Sequence, residues 1–156
     1  MAPLKPRPLL VATTSIALAA ENREVAWCFD RKEVKDHGEG GKLVGHKLAD
    51  GDRVLIVEDV TTAGTSIRET VPKLRAAADV KLAGLLVSCD RRERGQGDRV
   101  ALDELADEFD MPTHAIVTIH EVLEHLHGRE IDGRVIIDDA MKARLEDYLA
   151  TYGPRA

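Results

Sequence analysis

Apolar positions along this chain fall into two patterns, short continuous runs and longer helix-spaced stretches. Val25–Asp30 (VAWCFD), Arg53–Val57 (RVLIV), Leu82–Ser88 and Ala115–Ile119 are short runs of the kind that make buried strands of a parallel sheet. Residues 11–20 (VATTSIALAA) predict a small-residue helix packed closely on a sheet, and Thr65–Ala78 predicts a helix kinked or broken at Pro72. Ala101–Phe109 and His120–Leu126 predict two more helices, and Arg134–Tyr152 is mostly helix from near Asp138. Residues 31–45, RKEVKDHGEGGKLVG, show no hydrophobic period and hold four of the twelve glycines, which predicts a mobile loop. Gly51-Asp52 marks a turn and Asp90–Asp98 a charged loop. Strands alternating with helices imply βαβ units with right-handed crossovers. The expected fold class is α/β: a doubly wound, mostly parallel sheet with flanking helices, forming one domain over residues 1–156.

Composition narrows the function classes. At 156 residues, 44% hydrophobic and 32% charged, the chain can bury a core, and neither disorder nor a membrane-spanning helix is expected. A formal charge of −6 and only 3% aromatics argue against a nucleic-acid binder. Cys28 and Cys89 form no C-x-x-C pair and read as reduced, buried thiols of a cytoplasmic protein. Lys5 and Arg7 precede the apolar run Leu9–Ala20, with an A-x-A pattern at Ala17–Ala19. Thr13, Thr14 and Ser15 interrupt that run, so a cytoplasmic location is expected over export. His46, His114, His120, His125 and His127 form no H-E-x-x-H pattern and read as surface histidines.

The chemistry concentrates in residues 54–66, VLIVEDVTTAGTS. A buried strand ends in two carboxylates, Glu58 and Asp59, and a turn of small and hydroxyl residues leads into a helix. Open α/β sheets bind ligands beyond the carboxyl ends of their strands. The turn Val60-Thr61-Thr62-Ala63-Gly64-Thr65-Ser66 offers free N–H groups and four hydroxyls, with Gly64 for close backbone approach. These donors meet at a helix N-terminus, where the dipole favours a phosphate. No lysine follows Gly64, so this is not a Walker A loop. Carboxylates ahead of such a nest suit sugar hydroxyls, which makes the segment a ribose 5-phosphate grip. The plainer alternative, strand-end acids with Thr65 or Ser66 capping the helix, explains each residue singly but not their combination.

This segment resembles the signature of type I phosphoribosyltransferases. The resemblance implies that Glu58 and Asp59 contact the ribose hydroxyls and that Val60 through Ser66 bind the 5′-phosphate. Residues 29–45, FDRKEVKDHGEGGKLVG, are similar to the mobile catalytic loop of the orotate phosphoribosyltransferases, and residues 88–97, SCDRRERGQG, to their orotate-carboxylate segment. The loop chemistry fits on its own terms. Arg31, Lys32, Lys35 and His37 are four cationic or titratable groups on a glycine-rich loop, suited to a departing diphosphate.

By the same resemblance, Lys32 acts in its own subunit, whereas Arg31, Lys35 and His37 reach into the partner site of a homodimer. Lys35, His37 and Asp59 are the expected catalytic residues. Arg91 and Thr62 would recognise orotate, with Arg92 and Arg94 solvated or structural. Mg²⁺ would bridge the diphosphate and ribose hydroxyls, held through the substrate rather than by protein ligands. The implied reaction takes phosphoribosyl diphosphate and orotate to orotidine 5′-monophosphate and diphosphate, in pyrimidine (UMP) biosynthesis.

The family pattern also includes an N-terminal hood over orotate, a first core strand and a loop reading like A-Y-K-G-I-P. Here Ala2–Leu9 read APLKPRPL, so the hood and first strand are expected to be missing, and Lys5 is not assigned the family lysine's role. The short chain is expected to show little orotate transfer by itself. Two alternatives stay open at this point, a catalytically impaired phosphoribosyl-diphosphate-binding homologue and a partner subunit for a complete homologue.

Overall fold

A computed structural model of the chain describes residues 6–30 and 43–155. In order the elements are α1 (Pro6–Ala20), β1 (Cys28–Asp30), β2 (Leu43–Gly45), β3 (Arg53–Val60), α2 (Thr65–Ala77), β4 (Lys81–Asp90) and α3 (Ala101–Phe109). They are followed by β5 (Thr113–Thr118), α4 (Ile119–Leu126), β6 (Glu130–Ile131), β7 (Arg134–Val135) and α5 (Asp139–Tyr152). β3, β4 and β5 form a parallel sheet in that order, joined by α2 and α3 as crossovers. The expected α/β class is therefore found.

Alternation along β3 sorts its side chains between two faces. Ile56 points with Leu85 and Val87 of β4 into the core, where Ile67, Val71 and Leu74 of α2 and Leu102 and Leu105 of α3 meet them. The opposite face is covered more thinly. There α1 packs against β3, leaving a cleft of about 350 Å³ lined by Val11, Leu18, Trp27 and Leu55. Leu55 is 48% exposed and Ile116 of β5 is 72% exposed.

Several elements differ from the sequence expectation, each for a local reason. The first helix starts at Pro6 rather than at residue 11. Proline is tolerated in a first helical turn, where the N–H has no intrahelical acceptor in any case. The strand expected over Val25–Asp30 is only Cys28–Asp30, and Leu43–Gly45, expected as loop, pairs with it antiparallel (Asp30↔Leu43, Phe29↔Val44, Cys28↔Gly45). α2 runs through Pro72 unbroken, with the ring exposed while Val71 and Leu74 are buried.

Ahead of α5 the chain forms a β6–β7 hairpin that the apolar pattern did not single out, whereas the helix expected from near Asp138 starts at Asp139. Its turn residues, Asp132 and Gly133, both have positive φ (50° and 75°). That is the turn an Asp-Gly pair favours, so the signal lay in the sequence. α5 itself begins after Asp138, whose carboxylate accepts from the Met141 N–H at 2.8 Å.

Candidate active site

The register of β3 and β4 brings the two segments singled out above to one end of the sheet. Val60 lies opposite Cys89, so the turn after β3 and Arg91 after β4 leave the carboxyl ends of neighbouring parallel strands. This is where ligands bind in open parallel sheets.

At the end of β3, Glu58 is buried (7% exposed) and Asp59 is half-buried. Being consecutive in a strand, they point to opposite faces and straddle the strand end. Asp59 Oδ1 accepts the N–H of Val60 at 2.8 Å, which fixes the carboxylate at the start of the turn. Thr61 and Ala63 are half-buried and Thr62 is exposed. Gly64 is the N-cap of α2 at φ 76°, in the left-handed region. A Cβ there would lie 2.9 Å from Arg68 Nη1 and 3.0 Å from both Leu105 methyl carbons. The glycine is thus demanded by backbone handedness and by packing beneath the turn, a requirement separate from any approach of ligand.

Among the described residues no side chain caps α2, whose N-cap is Gly64. Neither Thr65 nor Ser66 closes the helix end, and first-turn amides have no intrahelical acceptor. Donors facing a positive dipole end suit an anion.

Arg68, which the sequence did not single out, holds this turn. Its Nη1 donates to the Ala63 carbonyl, its Nε to Glu108 Oε2 at 2.7 Å and its Nη2 to Glu104 Oε2 at 3.4 Å. Glu104 also accepts the N–H groups of Gln96 (2.8 Å) and Gly97 (2.9 Å). Burial alone would push the Glu104 carboxyl up, but those two amides and Arg68 outweigh it and hold it below its ordinary value.

After β4, Asp90 is buried and accepts the Arg92 N–H at 2.7 Å, an Asx turn that places Arg92 at φ 55°. Arg91 is paired with Glu93, which is 4% exposed. The same Glu93 oxygen accepts the Tyr148 hydroxyl from α5, and this hydrogen bond raises the tyrosine's pKa. Arg91 Nε and Glu93 Oε2 are buried without a partner among the described residues. The Arg91 side chain keeps 40% of its surface exposed, so an anion can reach it. Arg92 pairs with Asp90 at 3.3 Å, and Arg94 donates to the carbonyls of Thr151 (2.9 Å) and Gly153 (3.3 Å), both structural roles.

The proposed loop residues Arg31, Lys32, Lys35 and His37 lie outside the described residues, as does Lys5. Their flanks are placed. Asp30 pairs with Leu43, and Lys73 of α2 reaches Asp30 Oδ2 at 2.8 Å. Cys28 and Cys89 are free and half-buried, and burial raises both thiols. Among the described residues no group of three His, Cys, Asp or Glu side chains could hold a metal. No helix there is long and apolar enough to cross a membrane.

No family model matches the chain. It is 54% identical over 147 residues to the orotate phosphoribosyltransferase of Clostridium beijerinckii, covering 94% of this chain and 66% of that protein. To the orotate phosphoribosyltransferase of Agathobacter rectalis it is 52% identical over 148 residues, covering 94% and 66%. Among solved structures, the orotate phosphoribosyltransferase of Francisella tularensis superposes with a TM-score of 0.66 at 29% identity, over 91% of this chain and 63% of that one. Leishmania donovani UMP synthase shares the fold at 21% identity and a TM-score of 0.60, over 86% of this chain and 25% of that one. The chain spans just under two thirds of the curated relatives it matches (66% of the first). With the signature turn and the arginine segment at adjacent strand ends, and half of its residues identical to those relatives, the chain belongs to the orotate phosphoribosyltransferase family.

Proposed function

We propose that this chain carries the donor- and acceptor-binding core for transfer of ribose 5-phosphate from phosphoribosyl diphosphate to orotate. The products are orotidine 5′-monophosphate and diphosphate, in pyrimidine biosynthesis. The observation that supports it most is the placement of the uncapped Val60–Ser66 turn beside Arg91, at neighbouring ends of β3 and β4. In this reading the turn amides and the hydroxyls of Thr61, Thr62, Thr65 and Ser66 hold the 5′-phosphate, and Glu58 and Asp59 accept from the ribose hydroxyls. Arg91 pairs with the orotate carboxylate.

The bond from the anomeric carbon to the diphosphate oxygen breaks, and a bond to the orotate nitrogen forms in its place. Arg31, Lys32, Lys35 and His37 meet the charge that builds on the departing oxygens. Glu58 and Asp59 straddle their strand rather than converging on a cage, and Mg²⁺ retains water and phosphate oxygens readily, so the metal would enter on the diphosphate. When bound it supplies charge neutralisation of the leaving group. A homodimer, with the Arg31–Gly41 loop serving the partner's site, and a cytoplasmic location complete the reading.

Calorimetry with phosphoribosyl diphosphate and Mg²⁺ tests it. Asp59→Asn should weaken binding by roughly 1–3 kcal/mol, the cost of a lost polar contact in a half-buried site. Equal affinity in the two proteins would remove Asp59 from the site. Binding of the donor with no response to orotate would favour a donor-binding homologue without transfer.

A further inference from the structure

We propose that Arg68 is the positioning residue of the phosphate turn, its guanidinium holding the Ala63–Gly64 peptide plane so that the Gly64 amide faces the anion beside that of Thr65. The inference rests on the functional reading above and extends it to a residue that touches neither substrate. A peptide group is planar and trans, so its C=O and N–H point in opposite directions. An anion-binding turn therefore needs its carbonyls held away from the ligand.

Residue 68 takes two successive carbonyls here. Its guanidinium Nη1 takes the Ala63 oxygen, and the Gly64 oxygen is taken by the backbone N–H groups of Ile67 and residue 68, each at 3.1 Å, a helix bond that any side chain at 68 leaves in place. Fixing those two carbonyls fixes the N–H groups of Gly64 and Thr65 in the opposite direction. A water molecule could satisfy the Ala63 carbonyl equally well, but it would not hold the plane against the pull of a passing cation or a rotating peptide.

The guanidinium is itself immobilised. It is only 15% exposed and is held from α3 by Glu108 at 2.7 Å and Glu104 at 3.4 Å. The hypothetical Gly64 Cβ at 2.9 Å from Nη1 shows how closely the fork lies against the turn. Two carboxylates against one guanidinium also mean that its charge is locally compensated, which suits a brace better than a ligand for phosphate. Glu104 holds the amides of Gln96 and Gly97 as well, so the phosphate turn and the segment following Arg91 share an anchor.

The test uses the full chain with Arg68→Gln, Arg68→Lys and Glu108→Gln, each checked for folding by its melting curve. Two quantities are read: the dissociation constant for phosphoribosyl diphosphate with Mg²⁺, and the ¹⁵N–¹H signals of Gly64 and Thr65 without ligand. Arg68→Gln should weaken the donor roughly tenfold or more, as loss of a charge-assisted hydrogen bond does. It should also shift and broaden the Gly64 amide signal, while the Thr65 signal, whose plane the backbone holds, moves less. Arg68→Lys keeps one donor for the Ala63 carbonyl and should restore part of both. Glu108→Gln should cost about two- to threefold, as loss of a half-exposed ion pair does.

Affinity within about twofold of wild type in a folded Arg68→Gln protein would overturn the proposal. So would weakened binding with an unmoved Gly64 signal, which would mean that the guanidinium acts on ligand charge directly. If Arg68→Gln does not fold, Arg68→Lys and Glu108→Gln decide on the same two readouts. If wild type binds no donor, the functional reading fails, and the amide signals alone still judge the brace.

Discussion

The turn after β3 and the segment after β4 leave neighbouring strands at the same end of the sheet, yet different parts of the chain secure them. Val60–Ser66 is shaped mostly by its own neighbours: Asp59 bonds the Val60 amide, Gly64 adopts the left-handed conformation, and Arg68 lies one helical turn on. Residues 90–97 begin with a local Asx turn and then depend on distant elements. Glu93 accepts from Tyr148, Arg94 reaches Thr151 and Gly153, and Glu104 holds Gln96 and Gly97. The first segment is thus a local device with one tertiary brace, and the second is organised by α3 and the C-terminal helix. A turn set by one glycine and its own amides can be written into a dozen residues. The Arg91 segment takes its support from outside its own strand.

The most severe way to break the local device is Gly64→Ala. Left-handed backbone costs roughly 1–2 kcal/mol at a residue with a Cβ, and crowding of Arg68 and Leu105 adds on the order of 1–3 kcal/mol. The expected result is a lower denaturation midpoint together with loss of phosphoribosyl-diphosphate binding. Retained affinity would mean that the left-handed turn does not set the grip.

A smaller effect should sharpen the contrast from the other side. Glu93→Gln removes the carboxylate shared by Arg91 and Tyr148 and should cost about 1–3 kcal/mol by urea denaturation, with Tyr148→Phe costing about 1 kcal/mol. Hydrogen exchange in the last turns of α5 should quicken in both variants, while donor affinity stays unchanged. A parallel fall in donor affinity would show that the two segments are one cooperative unit.

Acid gives the smallest effect, through Glu104, which bonds both regions. Glu104 has a depressed pKa in the folded chain, as the amides of Gln96 and Gly97 and the Arg68 guanidinium outweigh the effect of burial. Its contribution is therefore complete above the ordinary carboxylate value of about 4.3. It is lost as pH falls through the lower folded value. The Gln96 and Gly97 amide signals should hold steady from neutral pH down to that range and move together below it. In Glu104→Gln that acid transition should vanish, and its persistence would assign it to another carboxylate.

The sequence by itself determined the α/β class and the strand–turn–helix of residues 53–77, with Gly64 at its turn. These follow from short-range rules: apolar runs for buried strands, glycine for left-handed backbone, and hydroxyls and free amides at a helix start. The Asp132-Gly133 hairpin was equally local, but the helical pattern that follows it obscured it. The tertiary structure decided what no spacing in the chain could carry. Arg68 reads as one more helix-surface arginine until the fold brings it to Glu104 and Glu108, 36 and 40 residues away. Glu93 reads as part of a charged loop until Tyr148, 55 residues on, closes over it. The pairing of β1 with β2 likewise depends on residues thirteen or more apart in a sequence whose intervening stretch is glycine-rich. Local preference fixes a residue's backbone, but the partner of a buried charge is chosen by which helices the sheet brings together.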